Sequence, residues 1–418
     1  MKLLVKCVSL LPSTARRVQT CVDFHMFRSY FFIWTDMSET LEIPSVRMEP
    51  PVDPQNVKFA RSDGFMQTLK ERTDAYFQEN GLSRKDNPSM YLKTAVILTW
   101  LAASYVGLVF FAVNFWQASA LAISLGTAMA AVGFNIQHDG GHGAYSKYPL
   151  VNRLMAFTLD ILGGSSFVWK RTHNVVHHSY TNITGVDGDI DLGILGRLSP
   201  HQPRFGYHRF QHLYLWFLYG LITFKWQFRD DTMALLTGKL GETKIPRPKA
   251  IDILLTIIGK GSFLTLAFGI PLYYNNWLHV AAFFFLASFV EGVLLSVVFQ
   301  LAHCVEEAEF PMPEGSTARI ENAWAVHQVE TTVDFARGGR IATWYTGGLN
   351  YQIEHHLFPQ ICHIHYPAVS KIVEETAGEF GVKYYAHQTF FAALRSHYNW
   401  LRRMGRPVPA APAVSSAA

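Results

Sequence analysis

The sequence predicts an all-α integral membrane protein: four transmembrane helices in two hairpins, with a cytoplasmic helical cap that holds a histidine-rich metal site. Three observations carry this. Only 16% of the 418 residues are charged, while 49% are apolar and 14% aromatic, against about 25% charged in soluble chains. The missing charge is concentrated in four stretches of membrane length. Three histidine clusters, HDGGH at 138–142, HNVVHH at 173–178 and QIEHH at 352–356, all lie outside those stretches.

Residues 1–61 read as an N-terminal extension and linker. Lys2 and Lys6 precede only short apolar runs, broken by Pro12, Arg16 and Arg17, so no signal-peptide pattern is present. Met37 opens an ordinary-looking sequence and is expected as the true start, leaving 1–36 as a mis-started or disordered leader. The proline-rich stretch 44–54 reads as an extended linker. Residues 62–80 predict a short amphipathic helix, with Phe65, Leu69, Tyr76 and Phe77 interleaved with Lys70, Glu71, Arg72 and Asp74. Residues 401–418 read as a disordered tail.

The first two spans, 94–113 and 118–136, contain no charge; the other two, 253–274 and 278–299, contain one each, Lys260 and Glu291. At about 1.5 Å per residue each covers a hydrocarbon core of about 30 Å. Lys260 and Glu291 fall at equal depth from the turn of the second hairpin, so they are expected to pair. Two further apolar stretches, 155–169 and 213–228, suit helices lying in the membrane interface. The inter-hairpin segment 170–249 holds 11 Lys or Arg, which places it and both long termini on the cytoplasmic side. All three histidine clusters then face one compartment. The four cysteines form no disulfide framework and read as reduced thiols. The net charge of +4 gives no expectation of a nucleic-acid partner.

On a helix, residues four apart share a face, so His138/His142 and His173/His177 can each aim two imidazoles at one point. His178 and His356 then reach a second point nearby. The clusters offer seven histidines, and His303, at the end of the fourth span, is an eighth. A structural zinc needs four ligands and is closed; eight nitrogens suit two metals with open positions. Histidine does not by itself name the metal. Asp139, Asp187, Asp189 and Glu354 are candidates to orient the imidazoles.

The arrangement HxxxH, HxxxHH and QxxHH around two hairpins resembles the membrane-bound fatty-acid desaturases. Gln352 in place of a first histidine, within GGLNYQIEHHLFP at 347–359, resembles the front-end (linoleoyl-CoA, Δ6-type) subgroup. That subgroup places a double bond between an existing one and the carboxyl end. The resemblance covers roughly 62–385, within a desaturase domain read as 62–400. It implies two non-haem irons, O2 as co-substrate, and electrons from a separate carrier. The ligands carried over are His138, His142, His173, His177, His178, His355 and His356, with His303 as the extra ligand. Gln352 is implied to contribute a hydrogen bond. Asn350, Asp139, Asp189, Trp169 and Trp344 are candidates for support of the ligands or contact with substrate, and Phe167 and Tyr345 for the tunnel wall.

The chain carries no His-Pro-Gly-Gly haem motif, so electrons are expected from a free cytochrome b5 or ferredoxin with its reductase. The substrate is expected to be a fatty acyl-CoA or acyl-lipid. The location is expected to be an inner membrane if bacterial, or the endoplasmic reticulum if eukaryotic. His208/His212, His363/His365 and Cys304 are read as decoys with structural or surface roles. Two other functions share parts of this pattern. A membrane di-iron alkyl hydroxylase or monooxygenase shares the metal centre and differs in its product. A metal transporter would scatter its histidines near the bilayer midplane.

Overall fold

The computed structural model describes residues 57–62, 64–241, 243–314 and 318–407. The expected leader, Met37, the proline-rich linker and most of the expected tail lie outside the described residues.

Four helices are long and apolar enough to cross a membrane: α2 (Pro88–Phe111), α3 (Phe115–His142), α8 (Ala250–Tyr274) and α9 (Trp277–His303). Asparagine side chains start three of them. Asn87, Asn114 and Asn276 accept from the backbone N–H of Ser89, Gln117 and His279, satisfying donors that the first turn leaves free. At the start of α8, Asp252 accepts from the Lys249 N–H at 3.0 Å.

Each helix is longer than the apolar window read from the sequence. Lys93 belongs to α2 with its side chain buried, and HDGGH forms the last turn of α3 rather than a loop beyond it. Helices α3 and α9 pack tightly enough that a Cβ on Gly126 would lie 2.2 Å from the Ala287 carbonyl oxygen. The α8 helix is different, with only 11% of its apolar window buried inside the protein.

The expected Lys260–Glu291 pair does not form. The Lys260 ammonium donates to the carbonyls of Gly163 and Gln227. Glu291 is buried in α9 with Oε2 unpartnered among the described residues. Equal depth does not fix rotation about the helix axis, and α8 turns Lys260 toward the segments that follow α4 (Pro149–Ile161) and α6 (Gln211–Tyr219). Neither of those helices, nor α5 (Ser166–Trp169), is long enough to span, as expected for the two interfacial stretches.

Helix α1 (Phe65–Glu79) buries Phe65, Leu69 and Phe77, as its spacing predicts. They join one core with Ile353 and Leu357 of α12 (Gln352–Leu357) and Val369, Val373 and Ala377 of α13 (Tyr366–Glu379). Helices α7 (Asp231–Thr237), α10 (Trp324–Glu330), α11 (Arg340–Tyr345) and α14 (Phe390–Met404) complete the cap. Its strands are minimal. β1 (Lys239–Leu240) pairs antiparallel with β2 (Thr243–Lys244), and β3 (Asp334–Phe335) pairs parallel with β4 (Ala386–His387). Helices α3 and α9 both run toward the cap and deliver their last turns to it.

Candidate metal centre

All eight predicted histidines come together. Four of them, His138, His142, His173 and His355, can place one nitrogen each within 4.8 Å of one another; His177, His303 and His356 do the same beside them. His178 sits between the two groups. Its Nε2 is 3.3 Å from His173 Nε2 and 3.0 Å from His355 Nε2, and its ring stacks on His356 at 4.3 Å. Seven of the eight are buried and His142 is half-buried. The histidines gather at one end of the spans rather than across the bilayer, unlike the arrangement a transporter would need.

Local winding explains how HNVVHH contributes three ligands. Residues Lys170–His177 form a π-helical segment, in which the His178 N–H bonds to the His173 carbonyl at 3.1 Å. An i to i+5 repeat brings His173 and His178 together while His177 still stacks on His173 at 5.1 Å. The HxxxH spacing predicts i, i+4 stacking, and no residue of the motif marks the wider turn.

Hydrogen bonds on the far side of the rings fix the tautomers. His177 Nδ1 donates to Asp187 Oδ2 at 3.0 Å, and His356 Nδ1 donates to Gln328 Oε1 at 2.8 Å. His355 Nδ1 lies 3.2 Å from the Tyr366 hydroxyl. With Nδ1–H committed outward, the Nε2 lone pairs of these rings turn inward toward one another. His142 Nε2 and His177 Nε2 are buried there without a partner among the described residues. Converging lone pairs repel unless a cation sits between them, so this donor set fits metal ions. Burial, with the neighbouring imidazoles, holds His178, His355 and His356 well below the usual histidine range, keeping the neutral form that ligates. Burial lowers His177 too, but the carboxylates of Asp187 and Asp189 outweigh it and raise the group.

Other sequence-predicted residues fall in varied places. Trp169 belongs at the centre: it stacks on His173 at 4.5 Å and meets His138 and His142 edge-on. Asp189 Oδ2 stands 3.7 Å from the Nδ1 of His173 and of His177. Gln352 Nε2 is 3.1 Å from His303 Nε2 and 3.4 Å from His356 Nε2. Asp139 instead turns away from the histidine clusters to His363 Nδ1 at 2.8 Å, and His363 Nε2 meets Lys93 Nζ at 3.0 Å. Glu354 bonds with Tyr384 beside Asp334. Asn350 braces its own loop through Thr343 and Thr346. Trp344 is 42% exposed and lies under the Lys93 ammonium. Tyr345 donates to the Thr127 carbonyl, and Phe167 packs beside Val168, Ala234 and Ile245.

The decoys stay apart from the eight. His208 bonds to Ile194 O, His212 packs edge-on to Tyr398, and His365 does so to Phe77. Cys304 is a buried free thiol. Sequence reasoning missed Gln328 and Tyr366, which carry no spacing signal and reach the site only through folding.

Fold and site together define an integral membrane protein with a histidine-rich metal centre at one face. A profile of the family described as Fatty acid desaturase matches residues 114–388. The chain is 44% identical to the sn-1 linoleoyl-lipid 6-desaturase of Arthrospira platensis over 83% of its own length and 94% of the relative's. It is 40% identical to a protein of the same name from Synechocystis sp., over 84% and 98%. It is 38% identical to the acyl-lipid (8-3)-desaturase of Physcomitrium patens, over 83% and 72%. The chain belongs to the fatty acid desaturase family, and its activity is fatty-acyl desaturation.

Proposed function

We propose that the protein is a front-end desaturase acting on acyl chains carried by membrane lipids. On this reading it inserts a double bond between an existing one and the carboxyl end. The convergence of seven imidazoles into two adjacent nitrogen groups, with His178 between them, carries the proposal. Gln352 and the names of the most similar relatives support the regiochemistry and the lipid carrier.

His138, His142, His173 and His355 would hold one iron, and His177, His303 and His356 the other, with His178 between them. When bound, the pair supplies the oxidising power, drawn from O2 and two electrons, to remove two hydrogens from an unactivated chain. The protein's own residues supply position and dryness. Asp187 and Gln328 hold the Nδ1 protons of His177 and His356, so that each ring keeps its lone pair toward the centre. Trp169 covers three of the ligands and excludes water. Gln352 offers a neutral amide beside His303 where a fourth donor would stand, and the amide can present either its oxygen or its nitrogen. The catalytic unit is taken as residues 62–400. The histidine-bearing face is taken as cytoplasmic, from the basic inter-hairpin segment, where a free cytochrome b5 or ferredoxin would deliver electrons.

The test is expression in a host fed linoleic and α-linolenic acids, with lipid classes separated and products profiled by mass spectrometry. A new olefin in the lipid fraction, absent with His355→Ala, is expected. An alcohol product, or activity that survives the substitution, contradicts the reading.

A further inference from the structure

The geometry points to a second lipid site: a cleft between the two hairpins that holds one acyl chain of a bilayer lipid from the leaflet opposite the histidines. This goes beyond desaturation and rests only on the fold. The cavity measures about 450 Å³, within the range that accommodates a medium-sized apolar ligand. All four spans contribute to its wall, which is almost wholly apolar. It exists because α8 packs at its two ends, touching α9 and the π-helical turn of α2 near the hairpin turn and α4 toward the cap.

Two features make it a built site rather than a loose gap. Both α2 and α8 widen into π-helical turns, Gly107–Phe111 and Thr265–Gly269, where they face it with Leu108, Val109, Leu266 and Ala267. Such turns are frequent at functional sites. Each turn gives a backbone carbonyl to the other hairpin. Tyr105 donates to Leu266 O at 2.8 Å, and Asn275 donates to Val109 O at 3.0 Å. These bonds hold the walls at a fixed separation.

The mouth and floor identify the occupant. The mouth is rimmed by Asn114, Asn275 and His279, and Trp116, Tyr273, Tyr274 and Trp277 are exposed around it. An aromatic belt marks headgroup level, so a polar head would rest there and its chain would descend. At the floor are Ile161 and Leu162, and Lys260 ties Gly163 to Gln227 just beyond. None of the eight histidines lines the cleft. Water has too few polar partners to fill such a space.

The experiment is native mass spectrometry of detergent-purified protein, with lipid extraction. About one tightly held lipid per chain is expected in the wild type and in Ala103→Phe, which adds the same ring outside the cleft. Its loss is expected in Ala102→Phe and Ala267→Phe, each of which places a ring in the cleft wall. Equal lipid in all four proteins, or none in the wild type, overturns the proposal. Because a filled variant can misfold, the wild type is also photolabelled with a phospholipid carrying a diazirine on its sn-2 chain. Label within 101–113 and 263–288 is expected; label confined to other segments overturns it. Neither readout needs metal or turnover, so failure here leaves the desaturase reading standing.

Discussion

His177 Nδ1 donates to Asp187 Oδ2 at 3.0 Å, and both side chains are wholly buried. The same oxygen accepts from the Asn182 N–H at 2.9 Å, so one carboxylate anchors a ring and the loop behind it. Replacing Asp187 with Asn keeps the size and removes the charge that fixes the tautomer. Metal affinity is expected to fall by about 10–100-fold. Metal retention against a graded chelator checks this; unchanged retention would show that the carboxylate does not support the site.

Gln352 stands within 3.4 Å of both His303 and His356. Gln352→Ala leaves the group of His138, His142, His173 and His355 untouched and strips one neighbour from the other. The expected outcome is loss of about half the bound metal with the fold retained. Metal analysis beside a thermal melt measures both; full metal occupancy would place Gln352 outside the ligand shell.

The glycines of HDGGH are fixed by close approach. A Cβ on Gly141 would lie 2.2 Å from Trp169 Cζ3, and one on Gly140 would lie 2.6 Å from the Ala156 backbone nitrogen. Gly141→Ala is expected to cost about 1–3 kcal/mol and to push Trp169 off His173. Tryptophan fluorescence and chemical denaturation report the two effects. An alanine variant with wild-type stability would mean that the ring yields freely.

Acid should weaken the fold through two histidines outside the metal centre. Burial lowers His327 and His397 from 6.5 to about 4; His397 is held between Cys304 O and the Tyr219 hydroxyl. Below about pH 6.5 the unfolded chain takes up protons that the folded chain refuses. Stability is therefore complete above that pH and drains as pH falls toward 4. The loss is on the order of 3 kcal/mol per group at the lower end. His397→Gln should flatten part of the slope in a pH series of denaturation curves; an unchanged slope would assign the acid sensitivity elsewhere.

The parts legible in the sequence were those written in composition and short spacing. Four apolar windows marked the spans, and three histidine patterns marked seven ligands, because each depends on neighbours along the chain. What was not legible depends on rotation and on distant partners. Lys260 and Glu291 share a depth yet face apart. Asp139 sits beside His138 in sequence but bonds to His363, while Gln328 reaches His356 across 28 positions. The span ends were misplaced for a related reason: a buried Lys93 breaks an uncharged window without ending a helix. The π-helical turn at 170–177 left no mark, since its residues resemble those of an ordinary helix.

The central claim is that eight histidines hold two irons in adjoining groups. Iron content by elemental analysis, combined with Mössbauer spectroscopy of 57Fe-loaded protein, tests it most directly. The account predicts two irons per chain in nitrogen-rich sites, and a drop toward one when His303 is replaced by alanine. One metal per chain in the wild type, or two retained in the His303→Ala protein, would contradict it.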